Sequence, residues 1–252
     1  MIKIIMHGCN GKMGQVISGL VAKDSKAELV AGIDPYTGLN NPYPVFPSAD
    51  SCSIDADVII DFSTAKAVKP LLQFAKSKSI PVVVCTTGLN EEEISEIKSA
   101  SQDIPILFSA NMSLGVNLLM NLARKATAIL TEAGFDIEII EKHHNQKIDA
   151  PSGTAIAIAN VINEELDNSY EYKYDRSGER KKRETNEIGI HALRGGTIVG
   201  EHSIVFAGRD EVVELKHSAL SKEIFAVGAV NAAKFLAGKS AGMYDMSDVI
   251  NH

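Results

Sequence analysis

"IKIIMHGCNGKMGQVISGLV", Ile2 to Val21, is the stretch that decides the fold. It opens with a compact apolar run, passes through a glycine-rich turn, and then repeats Val16, Ile17, Leu20 and Val21 at helical spacing. That is a strand, a tight turn and a helix. A strand with no polar side is one covered on both faces, which places it in a parallel sheet between helices. The chain repeats the pattern downstream. "AELVAGID", "ADVIIDFST", "IPVVVCTTG" and "IPILFSAN" read as further strands, with "AVKPLLQFAKSKS" and the acid-led "NEEEISEIKSASQ" as helices among them. Alternation over about 110 residues predicts an α/β, Rossmann-type parallel sheet with helices on both sides.

The pattern changes near residue 113. A long helix to about Leu130 is followed by the strand "FDIEIIE", a helix reaching about Leu166, a polar stretch containing "RSGERKKR", and the strands "EIGIHAL", "TIVGEHSIVFA" and "EVVELKHSA". Gly195-Gly196 and "GRDE" are turn signals between these strands, and short turns favour antiparallel neighbours. The expectation is a separate α+β domain with a mixed or antiparallel sheet. In "KEIFAVGAVNAAKFLAG", Phe225, Ala229, Ala232 and Leu236 share a helical face, expected to pack back on the first domain. The reading is therefore residues 1–113 with 222–252 as a dinucleotide-binding domain, and 114–221 as a substrate domain.

A length of 252 residues with 45% hydrophobic content suffices for two cores. The net charge of -7 argues against nucleic acid and against an acidic membrane surface, both of which need a concentrated positive field. The basic run Arg176 to Arg183 lacks interleaved aromatic residues and reads as a solvated loop. No apolar run approaches the roughly twenty residues of a membrane span. Cys9, Cys52 and Cys85 are odd in number and lack metal-ligand spacing, so they read as reduced, buried thiols of a cytoplasmic protein.

Gly8, Gly11 and Gly14 follow the first strand, spaced G-x-x-G-x-x-G, with Asn10 where a dinucleotide fold commonly has its second glycine. A phosphate approaches backbone most closely where side chains are absent, and the following helix supplies unpaired N–H groups. Asp34 ends the second strand 20 residues after Gly14, where a carboxylate can accept ribose hydroxyls. A 2'-phosphate there would be repelled, and Pro35 to Gly38 contain no arginine, so NADH is favoured. Lys12 keeps NADPH open. Ligands sit beyond the carboxyl ends of such strands, which adds Cys85-Thr86-Thr87 and Ser109-Ala110-Asn111-Met112 to the cofactor surface.

In "EIIEKHHNQKIDAPSGTA", Glu138 to Ala155, a strand ends at adjacent histidines, His143 and His144, followed by Lys147 and by Ser152-Gly153-Thr154 at a helix start. Imidazole, ammonium and a helix N-terminus together suit carboxylates, so the substrate is expected to be a small dicarboxylate. Beside a nicotinamide, a histidine that titrates near neutrality is suited to supply the proton that accompanies a hydride. A metal site built from His143, His144 and Asp149 is disfavoured, because adjacent strand residues diverge. No metal is expected.

These segments, with "GCNGKMG", "CTTG", "SANMSLGVN" and "RGGTIVGEHSIVF", resemble the 4-hydroxy-tetrahydrodipicolinate reductase (dihydrodipicolinate reductase) family through nearly the whole chain. The resemblance implies reduction of dihydrodipicolinate by NADH or NADPH on the route to diaminopimelate and lysine, with His143 as catalytic acid and Lys147 as second donor or stabiliser. It implies that His144, Ser152, Gly153 and Thr154 hold carboxylates. It also implies cofactor contacts at Gly8, Cys9, Asn10, Gly11, Lys12, Met13, Asp34, Cys85, Thr86, Thr87, Ser109, Ala110, Asn111 and Met112, and a homotetramer formed through the second domain's sheet. Two positions depart from the pattern: Cys85 stands where the family often has glycine, and Met112 where it often has an aromatic residue. Other dehydrogenases of amino-acid-like acids, and an NADH-sensing module without turnover, stay open as rivals.

Overall fold

The structure, a computed structural model, describes residues 1–109 and 111–252; Ala110 lies outside the described residues. The chain divides into two compact units, Met1–Leu114 with Glu223–His252, and Gly115–Lys222. The first unit begins with β1 (Ile2–His7), α1 (Lys12–Val21), β2 (Ala27–Ile33), β3 (Val45–Phe46), β4 (Val58–Asp61), α2 (Ala65–Lys78), β5 (Val82–Val84), α3 (Glu91–Ala100) and β6 (Pro105–Phe108). β4 and β5 are buried along their whole length, as the apolar runs Val58–Ile60 and Val82–Val84 require, with Asp61 closing β4. α3 starts at Asn90, whose side chain accepts from the Glu93 amide while Glu93 returns the bond to the Asn90 amide.

The second unit follows with α4 (Leu114–Leu130), β7 (Asp136–His143), α5 (Gly153–Glu164), β8 (Glu171–Lys173), β9 (Glu187–Arg194), β10 (Gly200–Ala207) and β11 (Val212–Ala219). Its sheet runs β11-β10-β7-β9-β8. β7 alternates between half-buried and buried residues, and the inward Ile137 and Ile139 join Ile158 and Ile162 of α5 and Leu119 and Ala123 of α4 in one core. β10 and β11, joined by the "GRDE" turn, pair antiparallel as expected, but β9 and β10 are not neighbours. β9 lies parallel to β7, β8 lies parallel to β9, and β10 is antiparallel to β7 and β11, so β7 separates β9 from β10. The linker 195–199 permits this: five residues reach about 16 Å, enough to pass over one strand at about 4.8 Å per spacing.

The outer face of this sheet carries Glu138, Ile140, Lys142, Ser203 and Val205, with Leu193 and Val212 exposed. The basic loop is not simply solvated. Arg176 and Arg183 turn onto that face and pair with Glu138 at 3.1 Å each, and Arg183 also pairs with Asp136 at 2.8 Å. Gly189 makes this possible, because a Cβ there would lie 1.6 Å from Glu138 Oε2.

The chain then returns to the first unit as α6 (Glu223–Leu236), β12 (Gly242–Tyr244) and α7 (Met246–Ile250). Ala226, Ala229, Ala232, Ala233 and Leu236 of α6 pack with Ile4, Met6 and Ile60 of the sheet. A Cβ at Gly228 would lie 1.6 Å from the Met112 carbonyl oxygen, so glycine lets α6 close onto that segment. β12 completes a seven-stranded sheet in the order β12-β6-β5-β4-β1-β2-β3, parallel at every pairing. No described helix is long and apolar enough to cross a membrane.

Candidate active site

Gly8 follows β1 with φ +81°, and a Cβ on it would come within 2.5 Å of the Phe62 carbonyl oxygen. A Cβ on Gly14 would meet the Gly8 oxygen at 2.2 Å. These two glycines let the turn fold back on itself, while Gly11, the N-cap of α1, and Lys12 stand at the surface. No side chain caps the first turn of α1, so its outward amides fit an anion such as a pyrophosphate. Asp34 accepts from the Asn10 amide at 3.0 Å and from the Tyr36 amide at 3.0 Å, one bond on each oxygen. Each oxygen retains capacity for a ribose hydroxyl. Asn10 has its own role: its side chain donates to the Tyr36 carbonyl and accepts from Asn41 at 2.8 Å, tying the turn to the loop after β2.

At the carboxyl ends of the strands the sequence reading missed a buried network. Asp61, fully buried, accepts from His7 Nδ1 at 2.7 Å, Ser63 Oγ at 2.6 Å and Thr86 Oγ1 at 2.7 Å. The visible signal was an aspartate closing the apolar run "VIID". Thr86 is thus anchored inward, and Thr87 is exposed beside it. Ser109 Oγ donates to the Asn111 carbonyl at 3.0 Å, and the Asn111 side chain accepts from the Ser113 amide at 2.9 Å. Cys9, Cys85 and Met112 are core residues, so a ligand would meet their backbone first. Burial raises the thiols of Cys9, to about 11, and of Cys85, well above the ordinary range; these thiols are not reactive groups.

In the second unit β7 ends at His143, and His144 begins the turn in which the Lys147 amide donates to the His144 carbonyl at 3.2 Å. Strand termination frees the adjacent histidines from the opposed directions a strand would impose. His143 is nearly buried, and its Nδ1 lies 2.6 Å from Glu141 Oε2. His202 of β10 meets the His143 ring edge-on, with centroids 5.2 Å apart. Ser152 caps α5: its hydroxyl accepts from the Ala155 amide at 3.2 Å and contacts His202 Nε2 at 3.1 Å, while its amide donates to Glu141 Oε1 at 2.9 Å. Ser152 is therefore turned inward, and Gly153 is the residue of this start that is exposed.

Lys147 pairs with Asp149 at 2.8 Å. The Lys147 hydrogen bond is the main cause holding Asp149 below the usual carboxylate range, and the Gly153 amide contributes. One carboxylate of the chain thus already sits between the ammonium and the start of α5. Arg194, Glu141 and His202, which sequence reasoning left as strand residues, complete the cluster.

The geometry can be set against known proteins. The family description "Dihydrodipicolinate reductase, N-terminus" matches residues 2–112, and "Dihydrodipicolinate reductase, C-terminus" matches residues 115–250. This chain belongs to the dihydrodipicolinate reductase family. It is 49% identical over 250 residues to the 4-hydroxy-tetrahydrodipicolinate reductase of Clostridium novyi (strain NT), covering 99% of this chain and 98% of that one. To the enzyme of the same name from Caldanaerobacter subterraneus subsp. tengcongensis it is 51% identical over 250 residues, with the same coverage. A solved dihydrodipicolinate reductase from Paenisporosarcina sp. TG-14, bound to dipicolinate, superposes with a TM-score of 0.83 at 26% identity over 99% of both chains. As a member of this family the reductase is an oxidoreductase with a nicotinamide-dinucleotide-binding Rossmann unit.

Proposed function

We propose that this reductase converts dihydrodipicolinate, formed from 4-hydroxy-tetrahydrodipicolinate, to tetrahydrodipicolinate on the route to diaminopimelate and lysine. The observation that carries the substrate class is the Lys147–Asp149 pair at the start of α5: one carboxylate is already held there, by an ammonium and a helix N-terminus. A substrate carboxylate takes the place of Asp149, with Lys147, His144, Gly153 and Thr154 around it, and Ser152 supports that start from within. Dipicolinate, the ligand named for the Paenisporosarcina reductase, is a planar diacid of the same kind.

The dinucleotide, when bound, supplies a hydride. Gly8 to Met13 and Asp34 hold its pyrophosphate and adenosine ribose, and residues 85–87 with Ser109, Asn111 and Met112 line its nicotinamide end. His143 delivers the proton, from Nε2, since Nδ1 faces Glu141. Lys147 stabilises the charge that builds up as the ring is reduced. NADH is favoured over NADPH, because the Asp34 carboxylate would repel a 2'-phosphate, and Lys12 leaves some NADPH use. The second unit also carries the oligomeric contact: the outer sheet face, with Leu193 and Val212 exposed, suits a homotetramer. Three buried, unpaired cysteines accord with a reducing cytoplasm.

The test is cofactor oxidation with synthase-generated substrate, run with each reduced cofactor and with aspartate semialdehyde as the competing acid. The expected result is turnover of the cyclic diacid alone, with a higher kcat/KM for NADH. Equal turnover of the acyclic acid, or a strong NADPH preference, would contradict the corresponding half of the proposal.

A further inference from the structure

Glu141 sits two residues before the end of β7 with no exposed surface, yet four donors converge on it. Arg194 of β9 donates twice, Nη1 to Oε2 at 2.8 Å and Nη2 to Oε1 at 2.7 Å. The Ser152 amide donates to Oε1 at 2.9 Å, and His143 Nδ1 lies 2.6 Å from Oε2. A carboxylate offers about four lone-pair sites, so each is taken. Burial raises Glu141, but the bonds from Arg194, His143 and Ser152 outweigh it and hold the group below its ordinary value. An ionised carboxylate is an acceptor only, so the shared proton belongs to His143 Nδ1.

We propose that Glu141 is the positioning residue of the proton donor: it keeps one proton of His143 on Nδ1, so that the second, transferable proton of the imidazolium is carried on Nε2. The inference rests on the reading of His143 as the acid. In the reaction the Nε2–H bond breaks, the proton passes to the substrate atom that holds the electron pair left by hydride addition, and His143 returns to the neutral Nδ1–H form, recharged from solvent. A second feature serves the same atom. A Cβ at Gly200 would lie 3.1 Å from His143 Nε2, so glycine at the start of β10 keeps that nitrogen uncrowded.

The charged and titratable groups around the ring come from several neighbouring elements. Glu141 lies on the same strand, Arg194 on β9, His202 on β10, and Lys147 with Asp149 on the following loop. Arg194 also donates to the Asp149 carbonyl at 2.6 Å, so the guanidinium that balances Glu141 also ties down the loop carrying Lys147. Orientation of the proton donor and placement of the carboxylate receptor thus share one buried anion.

The experiment is nitrogen NMR of histidine-labelled protein, with His143 assigned from the signals missing in His143→Gln. In its neutral form, wild-type His143 is expected to show a protonated Nδ1 and a bare Nε2. Glu141→Gln keeps one acceptor for Arg194 and Ser152 and turns an amide N–H toward His143, so the imidazole should invert to the Nε2–H form. Its kcat should fall about 10- to 100-fold, part of the 10²–10⁴ typical of general acid catalysis, with dipicolinate affinity nearly kept. Glu141→Asp, which keeps the charge, should recover part of the loss. A wild-type Nε2–H tautomer would overturn the proposal, even if Glu141→Gln failed to fold. So would wild-type kcat in a folded Glu141→Gln. Full turnover by His143→Gln would instead refute the donor assignment, leaving the tautomer measurement to judge the hydrogen bond by itself.

Discussion

His202 puts a titrating group where water does not reach. Burial pushes its imidazole from an ordinary 6.5 down to about 4, His143 adds to the shift, and Glu141 opposes it. With His202 only 4% exposed, the effect appears in stability. The unfolded chain takes up a proton at His202 below about 6.5, whereas the folded chain resists until about 4. Stability from this residue is therefore complete above pH 6.5 and declines as pH falls towards 4, by about 3 kcal/mol in all. Glu138 and Glu141, both held below the ordinary carboxylate value, extend the loss at lower pH. Denaturant titrations across this range should show the decline, and His202→Gln should flatten it; an unchanged slope would contradict this account. None of this was legible in the chain. His202 and Arg194 occur within "RGGTIVGEHSIVF" and Glu141 within "FDIEIIE", and alternation marks which side a residue faces but not which distant strand supplies its partner.

At the scale of elements, the strand–turn–helix from β7 to α5 was legible, because a polar turn after an apolar alternation and Ser-Gly-Thr before a helical pattern both leave local signals. β3, β8 and β12 were missed: at two or three residues they are too short to show a period and form only by adding to existing sheets. The insertion of β7 between β9 and β10 was equally hidden, since a short linker reads the same whether the next strand is adjacent or one further away. The α5 cap supplies a test. Ser152→Ala removes the acceptor for the Ala155 amide and should cost about 1 kcal/mol, while raising KM for the diacid through loosening of the helix start. Asn90→Ala, at the cap of α3, should cost about as much stability and leave KM unchanged. Parallel kinetic effects in the two variants would show that the α5 cap has no special link to the substrate.

For the whole molecule, the parallel sheet was legible because its strands lack a polar face, and the family's reaction was legible because the glycine turn and the histidine–lysine segment are each a short unbroken stretch of sequence. The quaternary state leaves weaker marks. Light scattering is expected to give about four times the chain mass of 27.1 kDa, and aspartate at both Leu193 and Val212 is expected to give smaller species; a wild-type monomer would remove the proposed sheet contact. The central claim is that the reductase protonates its substrate from His143. The measurement that reaches it most directly is kcat of His143→Gln with saturating NADH and synthase-generated substrate. A fall of about two to four orders of magnitude in a folded variant that still binds dipicolinate is predicted. Turnover within a few-fold of wild type would contradict the claim.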